Sequence, residues 1–140
     1  MFQSISDLVN DDTIELVIEG SSIGMKVIKY DLDEIVGGGL VSHADGFVDV
    51  LSNLGGAVEK RPSDPSTSID LFSACDQAVN QYGFDLVFFR IDEELELRVV
   101  ADRVAGGEGS TIQNGTVENA GAVLEMIDRA IKWEEGNFSE

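Results

Sequence analysis

Phe84-Asp85-Leu86-Val87-Phe88-Phe89-Arg90-Ile91, followed by Asp92-Glu93-Glu94 and then Leu95-Glu96-Leu97-Arg98-Val99-Val100-Ala101, decides how this chain folds. The first run is rich in aromatic and β-branched residues, which suit a pleated, half-buried surface. In the second, Leu95, Leu97, Val99 and Ala101 alternate with Glu96, Arg98, Val100 and Asp102, the period-2 pattern of a strand with one buried face. Asp92-Glu93-Glu94 reads as the turn of a β-hairpin. A three-residue turn sets Ile91 opposite Leu95, Phe89 opposite Leu97, Val87 opposite Val99 and Arg90 opposite Glu96. That last pair would be an opposite-charge contact across the ladder.

Working outward, Thr13 to Glu19 alternates, with Ile14, Leu16 and Ile18 on one face and Thr13, Glu15 and Glu19 on the other. Gly20-Ser21-Ser22 signals a turn, and Ile23, Met25 and Val27 resume the alternation, which makes a second hairpin. Gly37-Gly38-Gly39 reads as a break in the chain. Ser42 and Asp45 then open a helix carrying Phe47, Val50, Leu51 and Leu54, closed by Gly55-Gly56. Thr67 and Asp70 open another, with Leu71, Phe72, Cys75, Ala78, Val79 and Tyr82 as its apolar stripe and Gly83 as its stop. Gly106 to Gly115 reads as a polar loop. A last helix, capped by Thr116, carries Ala120, Leu124, Ile127 and Ile131 on one face, with Glu125–Arg129 and Asp128–Lys132 as i,i+4 pairs. Trp133 and Tyr82 fall on or beside core stripes. Phe2 to Val9 forms a short first helix.

The expected order is (α)ββ-α-α-ββ-α. Two hairpins make a mostly antiparallel sheet packed by about three helices, an α+β fold. No internal repeat at a fixed period is visible. Lys60 to Ser66, which holds both prolines, reads as a loop and not as a domain boundary, so residues 1–140 form one domain.

The outlying property is charge. The chain carries 27 acidic and nine basic residues, a formal −18. Each half of the chain carries half of that excess, so the acidity belongs to the folded surface and not to a tail. Such a surface repels phosphate backbones and anionic membranes. Three explanations compete: solubility alone, capture of a basic partner, or adaptation to high salt. Four lysines suit the last, whereas eleven isoleucines and seven phenylalanines do not mark it. The start, MFQSISDLVNDD, lacks the basic and apolar regions of a signal peptide, and no run reaches the ~20 apolar residues of a membrane span. A single cysteine allows no internal disulfide and suits a reducing compartment, so a cytoplasmic location is expected.

Catalytic motifs are not found. Cys75 lies on an apolar stripe, where a buried structural thiol is expected, and His43 opens a helix. Neither Gly37–Gly39 nor Gly106–Thr111 continues into a phosphate-binding motif. No catalytic residue, cofactor or metal ligand is assigned. The carboxylate groups Asp31, Asp33, Glu34 and Asp92, Glu93, Glu94, Glu96 lack an EF-hand spacing and read as solvated turns.

The leading expectation is a non-enzymatic acidic module that captures and inhibits, or chaperones, a basic protein, as immunity proteins and phage-encoded DNA mimics do. A nucleic-acid-binding protein is one such partner. Its face is placed at Asp92, Glu93, Glu94 and Glu96, with Asp31, Asp33 and Glu34 and the stretch Asp11–Glu19 as rivals. Alternatives are a dimeric acidic chaperone or scaffold, for which a homodimer is the expected state, and a carboxylate- and metal-dependent enzyme.

Overall fold

The computed structural model describes residues 2–9, 11–21, 24–32, 34–41, 44–54, 65–101 and 110–138. Among these, helix α1 (Phe2–Leu8) leads into strands β1 (Ile14–Ser21), β2 (Gly24–Asp31) and β3 (Glu34–Val41), then α2 (Ala44–Asn53). Helix α3 (Pro65–Asp76) runs into a π-helical turn at Gln77–Gln81, and β4 (Phe84–Ile91), β5 (Glu94–Ala101), β6 (Ser110–Thr116) and α4 (Ala120–Phe138) follow. The six strands form one antiparallel sheet in the order β3-β2-β1-β4-β5-β6. The fold is α+β, as expected, but each expected hairpin is a three-stranded meander and the described helices number four.

The helices cover one face of the sheet. Leu16 and Ile18, Met25 and Val27, Leu86 and Phe88, and Leu97 and Val99 point into the core. There they meet Ile5, Phe47, Leu51, Leu71, Cys75, Val123 and Ile127 from the helices. The alternation read from the sequence is the cause, because period-2 side chains can bury one face only.

Four details depart from the sequence reading. The β4–β5 turn has two residues, Asp92 and Glu93, both at positive φ (51° and 70°), the geometry of a type I′ turn whose twist matches its strands. The register therefore slips by one: Ile91 faces Glu94, Phe88 faces Leu97, and Phe89 faces Glu96. Arg90 lies opposite Leu95, not Glu96, and its guanidinium turns to α1 instead. Gly37–Gly39 does not break the chain but forms the middle of β3, because α2 lies close above it. A Cβ on Gly37 would stand 2.6 Å from Leu54 Cδ2, and one on Gly39 3.0 Å from Val50 Cγ2. Residues 110–115 belong to β6 and not to a loop, and the cap of α4 is Asn119, whose Oδ1 accepts from the Ala122 N–H (2.9 Å), so Thr116 ends a strand. Trp133 is exposed rather than packed in the core. The pairs Glu125–Arg129 and Asp128–Lys132 form as expected. Ser42, His43, Asp33 and residues 106–109 lie outside the described residues.

The chain also carries a repeat that its sequence does not display. Adding 70 to each residue number of the β1–β2 register, Ile14↔Asp31 to Ser21↔Gly24, yields the β4–β5 register, Phe84↔Ala101 to Ile91↔Glu94. Both meanders have a bulge at the same place, between Lys29 and Tyr30 and between Val99 and Val100. From β3 and β6 onward the offset becomes 76, because the β5–β6 connection is longer. Core positions correspond throughout: Leu16 with Leu86, Val27 with Leu97, Val41 with Val117, Phe47 with Val123, Leu51 with Ile127. Gly39 under Val50 matches Gly115 under Met126. The molecule is thus two α–βββ–α halves related by a pseudo-two-fold axis through the Val17↔Val87 pair, where β1 meets β4.

Candidate functional site

The sheet topology sends the acidic turns to one end. β1 begins, β2 ends, β3 begins, β4 ends and β5 begins there, as the pairs Ile14↔Asp31, Asp31↔Glu34 and Ile91↔Glu94 require. Asp31 and Glu34 flank the β2–β3 turn, Asp92 and Glu93 make the β4–β5 turn with Glu94 opening β5, and Asp11 and Asp12 lead into β1 between them. The Leu32 N–H donates to Thr13 O (2.9 Å), which ties the β2–β3 turn to the start of β1. At about 4.8 Å per strand, the two turns stand roughly 14 Å apart with the aspartate pair midway. So Asp92–Glu94 of the expected face, Asp31 and Glu34 of one rival and Asp11 and Asp12 of the other form one surface. Glu96 does not join it. Alternating with the buried Leu95 and Leu97, it lies on the sheet face opposite the helices, the face where Arg98 stacks over Phe89 (4.9 Å to the ring centroid).

Electrostatics at this end follow from its packing. The side-chain hydrogen bond from Asp12, and then the Thr13 N–H (3.1 Å to Oδ1), hold the Asp11 carboxyl below its ordinary value. The same bond and the charge of Asp11 raise Asp12. Among the described residues, the two cations nearest the end are committed to backbone carbonyls. Lys29 Nζ donates to Leu54 O (3.3 Å), and Arg90 Nη1 donates to Glu93 O (2.8 Å) while its Nε and Nη2 reach α1.

Two apolar residues sit among these carboxylates and were not expected. Leu32 is 71% exposed and holds a positive φ of 52°, and Ile91 is 50% exposed. An exposed leucine in the left-handed region is costly twice over, in sterics and in hydration. Glycine would meet no such strain at Leu32, Asp92 or Glu93, yet none of the three is glycine. A signal for them exists in the sequence only as Leu32 and Ile91 beside acidic residues, which is ordinary for a strand end.

The repeat supplies an internal control. At the corresponding positions of the other half, Gln81 replaces Asp11, Tyr82 replaces Asp12, Ala101 replaces Asp31 and Ser110 replaces Glu34. Ser22, Ile23 and Gly24 replace Asp92, Glu93 and Glu94. All seven acids have neutral counterparts, so the fold does not demand acidity at these positions.

Cys75 is fully buried, and burial, aided by Asp76, pushes its thiol up to about 12, so it stays protonated. Among the described residues no group of three or more His, Cys, Asp or Glu is placed to hold a metal ion. Nor does any described helix have the length and apolarity to cross a membrane. Comparison with models of known protein families, with curated proteins and with solved structures gives no match.

Proposed function

We propose that this chain is a non-enzymatic acidic binding protein whose sheet end, Asp11, Asp12, Asp31, Glu34 and Asp92–Glu94, captures a basic protein and blocks or chaperones it. The observation that carries this reading is that seven described acids meet at one end of the sheet, while their seven equivalent positions hold neutral residues. Solubility alone would not select one end of a symmetric fold. Clustered charge speeds encounter and orients the partner, while Leu32 and Ile91 offer apolar anchors inside the acidic ring. A basic protein that binds nucleic acid fits best, since its phosphate-binding groove matches spaced carboxylates. The free, buried thiol of Cys75 accords with a reducing, cytoplasmic setting for this activity.

The test compares two variants of equal charge. One removes four acids at the end (Asp31→Asn, Asp92→Asn, Glu93→Gln, Glu94→Gln). The other removes four elsewhere (Glu19→Gln, Asp49→Asn, Glu125→Gln, Asp128→Asn). A basic protein retained from lysate by the wild type near 0.1 M salt is expected to be retained by the second variant and to bind the first at least ~30-fold more weakly. Equal loss from both variants would show that net charge alone acts. Retention that ignores several hundred millimolar salt would count as decisively against the reading.

A further inference from the structure

We propose that the sheet face away from the helices is a dimer interface, where two copies of the chain pack sheet against sheet about a two-fold axis that runs along the strands between β1 and β2. The described helices leave this face open. The strand registers set its side chains in three rows across β3, β2, β1 and β4. The first row holds Leu40, Lys26, Glu19 and Asp85, and the middle row Gly38, Ile28, Val17 and Val87. The third holds Ile35, Tyr30, Glu15 and Phe89. Ile35 is 67% exposed and Leu40 50%, and between them Gly38 leaves a trough of about 330 Å³ floored by Ile28. The other half of the repeat does without this pattern: Glu96 stands at the place of Lys26, Arg98 at that of Ile28 and Asn114 at that of Gly38. The fold therefore does not require an apolar face here, and an exposed patch of this kind marks a contact surface.

Charge complementarity selects both the occupant and the axis. Rotation about this axis lays β2 over β1 and β3 over β4 of the second copy. Lys26 then faces Glu19, Ile28 faces Val17, and the Tyr30 hydroxyl faces the Glu15 carboxylate as a donor. Val87 faces Gly38, where the trough has room for it. Each of these contacts occurs twice, because the interface is isologous and closes as a dimer. Other ways of laying the face on itself bring like charges together. An axis over β2 sets Lys26 on Lys26, and one over β1 sets Glu19 on Glu19. An axis between β1 and β4 sets Glu19 on Asp85, and one across the strands sets Glu15 on Glu19. The chosen arrangement is the aligned packing of a β-sandwich, with sheets about 10 Å apart and strands about 30° from parallel. None of the residues in the three rows belongs to the acidic end, so the dimer stands or falls apart from the capture of a basic partner. The axis does carry both acidic ends to the same side, and their repulsion fades as salt is added.

The full-length chain tests this by sedimentation across about 5–500 µM in about 0.15 M salt. The mass expected at the upper end is twice the 15.1 kDa of the chain. Lys26→Glu and Glu19→Lys are each expected to weaken the dimer at least ~30-fold, and an equimolar mixture of the two to pair about as tightly as the wild type. In the mixture each copy supplies the charges that the other lacks. Recovery there cannot come from the Lys26–Glu19 neighbours within one copy, which neither variant retains. Ile35→Lys is expected to weaken the dimer at least ~30-fold, and Thr116→Lys, on β6 outside the four strands, to leave it unchanged. Far-UV circular dichroism confirms that each variant is folded. Raising salt from about 0.05 to 0.5 M is expected to tighten the dimer, the reverse of its effect on capture by the acidic end. A monomer throughout, a mixture no more associated than its components, a dimer that survives Ile35→Lys, one that loosens as salt rises, or species that keep growing with concentration would each overturn the proposal.

Discussion

Arg90→Ala is expected to lower stability by about 3 kcal/mol, and the melting temperature by roughly 10 °C. Helix α1 has only seven residues and cannot hold itself together by its own hydrogen bonds. It is held by what it packs on and by what closes its end. Ile5, Leu8 and Val9 are buried in the core. The last carbonyls of any helix lack partners within it. Here Arg90 reaches across from β4 to supply them: Nε donates to Val9 O, and Nη2 to Ser6 O (3.0 Å) and Ser6 Oγ (3.1 Å). Its positive charge also lies at the negative end of the helix dipole. Alanine would leave these carbonyls partly buried with no donor, and two charge-assisted bonds at roughly 1.5 kcal/mol each set the magnitude. Lysine keeps the charge but offers a point donor where a planar fork is used, so Arg90→Lys is expected to recover less than half of the loss. Urea unfolding of the three proteins measures this directly. Wild-type midpoints for both variants would mean that the network contributes nothing.

Gly20→Ala is expected to cost about 2–3 kcal/mol although it adds a single methyl group. Its Cβ would stand 2.6 Å from Val79 O and 3.3 Å from Asn80 Oδ1. The obstruction is backbone in the π-helical turn, so no rotamer change relieves it and the turn must move off the sheet. Gly37→Ala provides the comparison. Its Cβ would also meet an atom at 2.6 Å, but that atom is Leu54 Cδ2, the end of a flexible side chain. A loss below about 1 kcal/mol is expected there. Thermal melts that rank the two substitutions the other way round would sink this account. The two predictions share an origin. Gly20 and Arg90 are equivalent positions of the repeat, and so are Val79 and Val9. One half packs its helix end against a residue with no side chain; the other uses the longest donor available to reach the same carbonyl.

The elements that show in the sequence are those whose own residues state the reason for their shape. Leu16 and Ile18, or Leu97 and Val99, alternate because one face is buried, and the core list follows. β3 and β6 stayed hidden because the reason for their glycines lies elsewhere, in Val50, Leu54 and Met126 pressing down from helices far along the chain. The hairpin register differs by one residue from the expected one because two acids occupy a turn that ordinarily calls for Asn-Gly, and this sets Arg90 on the helix face, away from Glu96, which keeps the face its alternation with Leu95 and Leu97 requires. The repeat does not show in the sequence because it survives mainly as pattern. Ile14-Glu15-Leu16-Val17-Ile18 and Phe84-Asp85-Leu86-Val87-Phe88 share the order of large apolar and acidic residues, while most other equivalent positions have diverged. The acidic groups were legible one by one. Their meeting was not, since it depends on β1 pairing with β4, and nothing local announces that pairing.

That pairing also orders the events of folding. Every other strand pair joins neighbours in sequence, whereas Leu16, Val17 and Ile18 wait for Phe88, Val87 and Leu86 from the other half. Closing so long a loop costs chain entropy before any contact repays it, while a meander nucleates on its own turns. The two halves are therefore expected to form separately and to dock late. In kinetic terms, Val17→Ala and Val87→Ala should mainly speed unfolding, with φ-values near ~0.2, whereas Val27→Ala and Leu97→Ala, inside the meanders, should slow folding, with φ above about 0.5. High φ-values at Val17 and Val87 would instead make the central seam the nucleus, with the halves built outward from it.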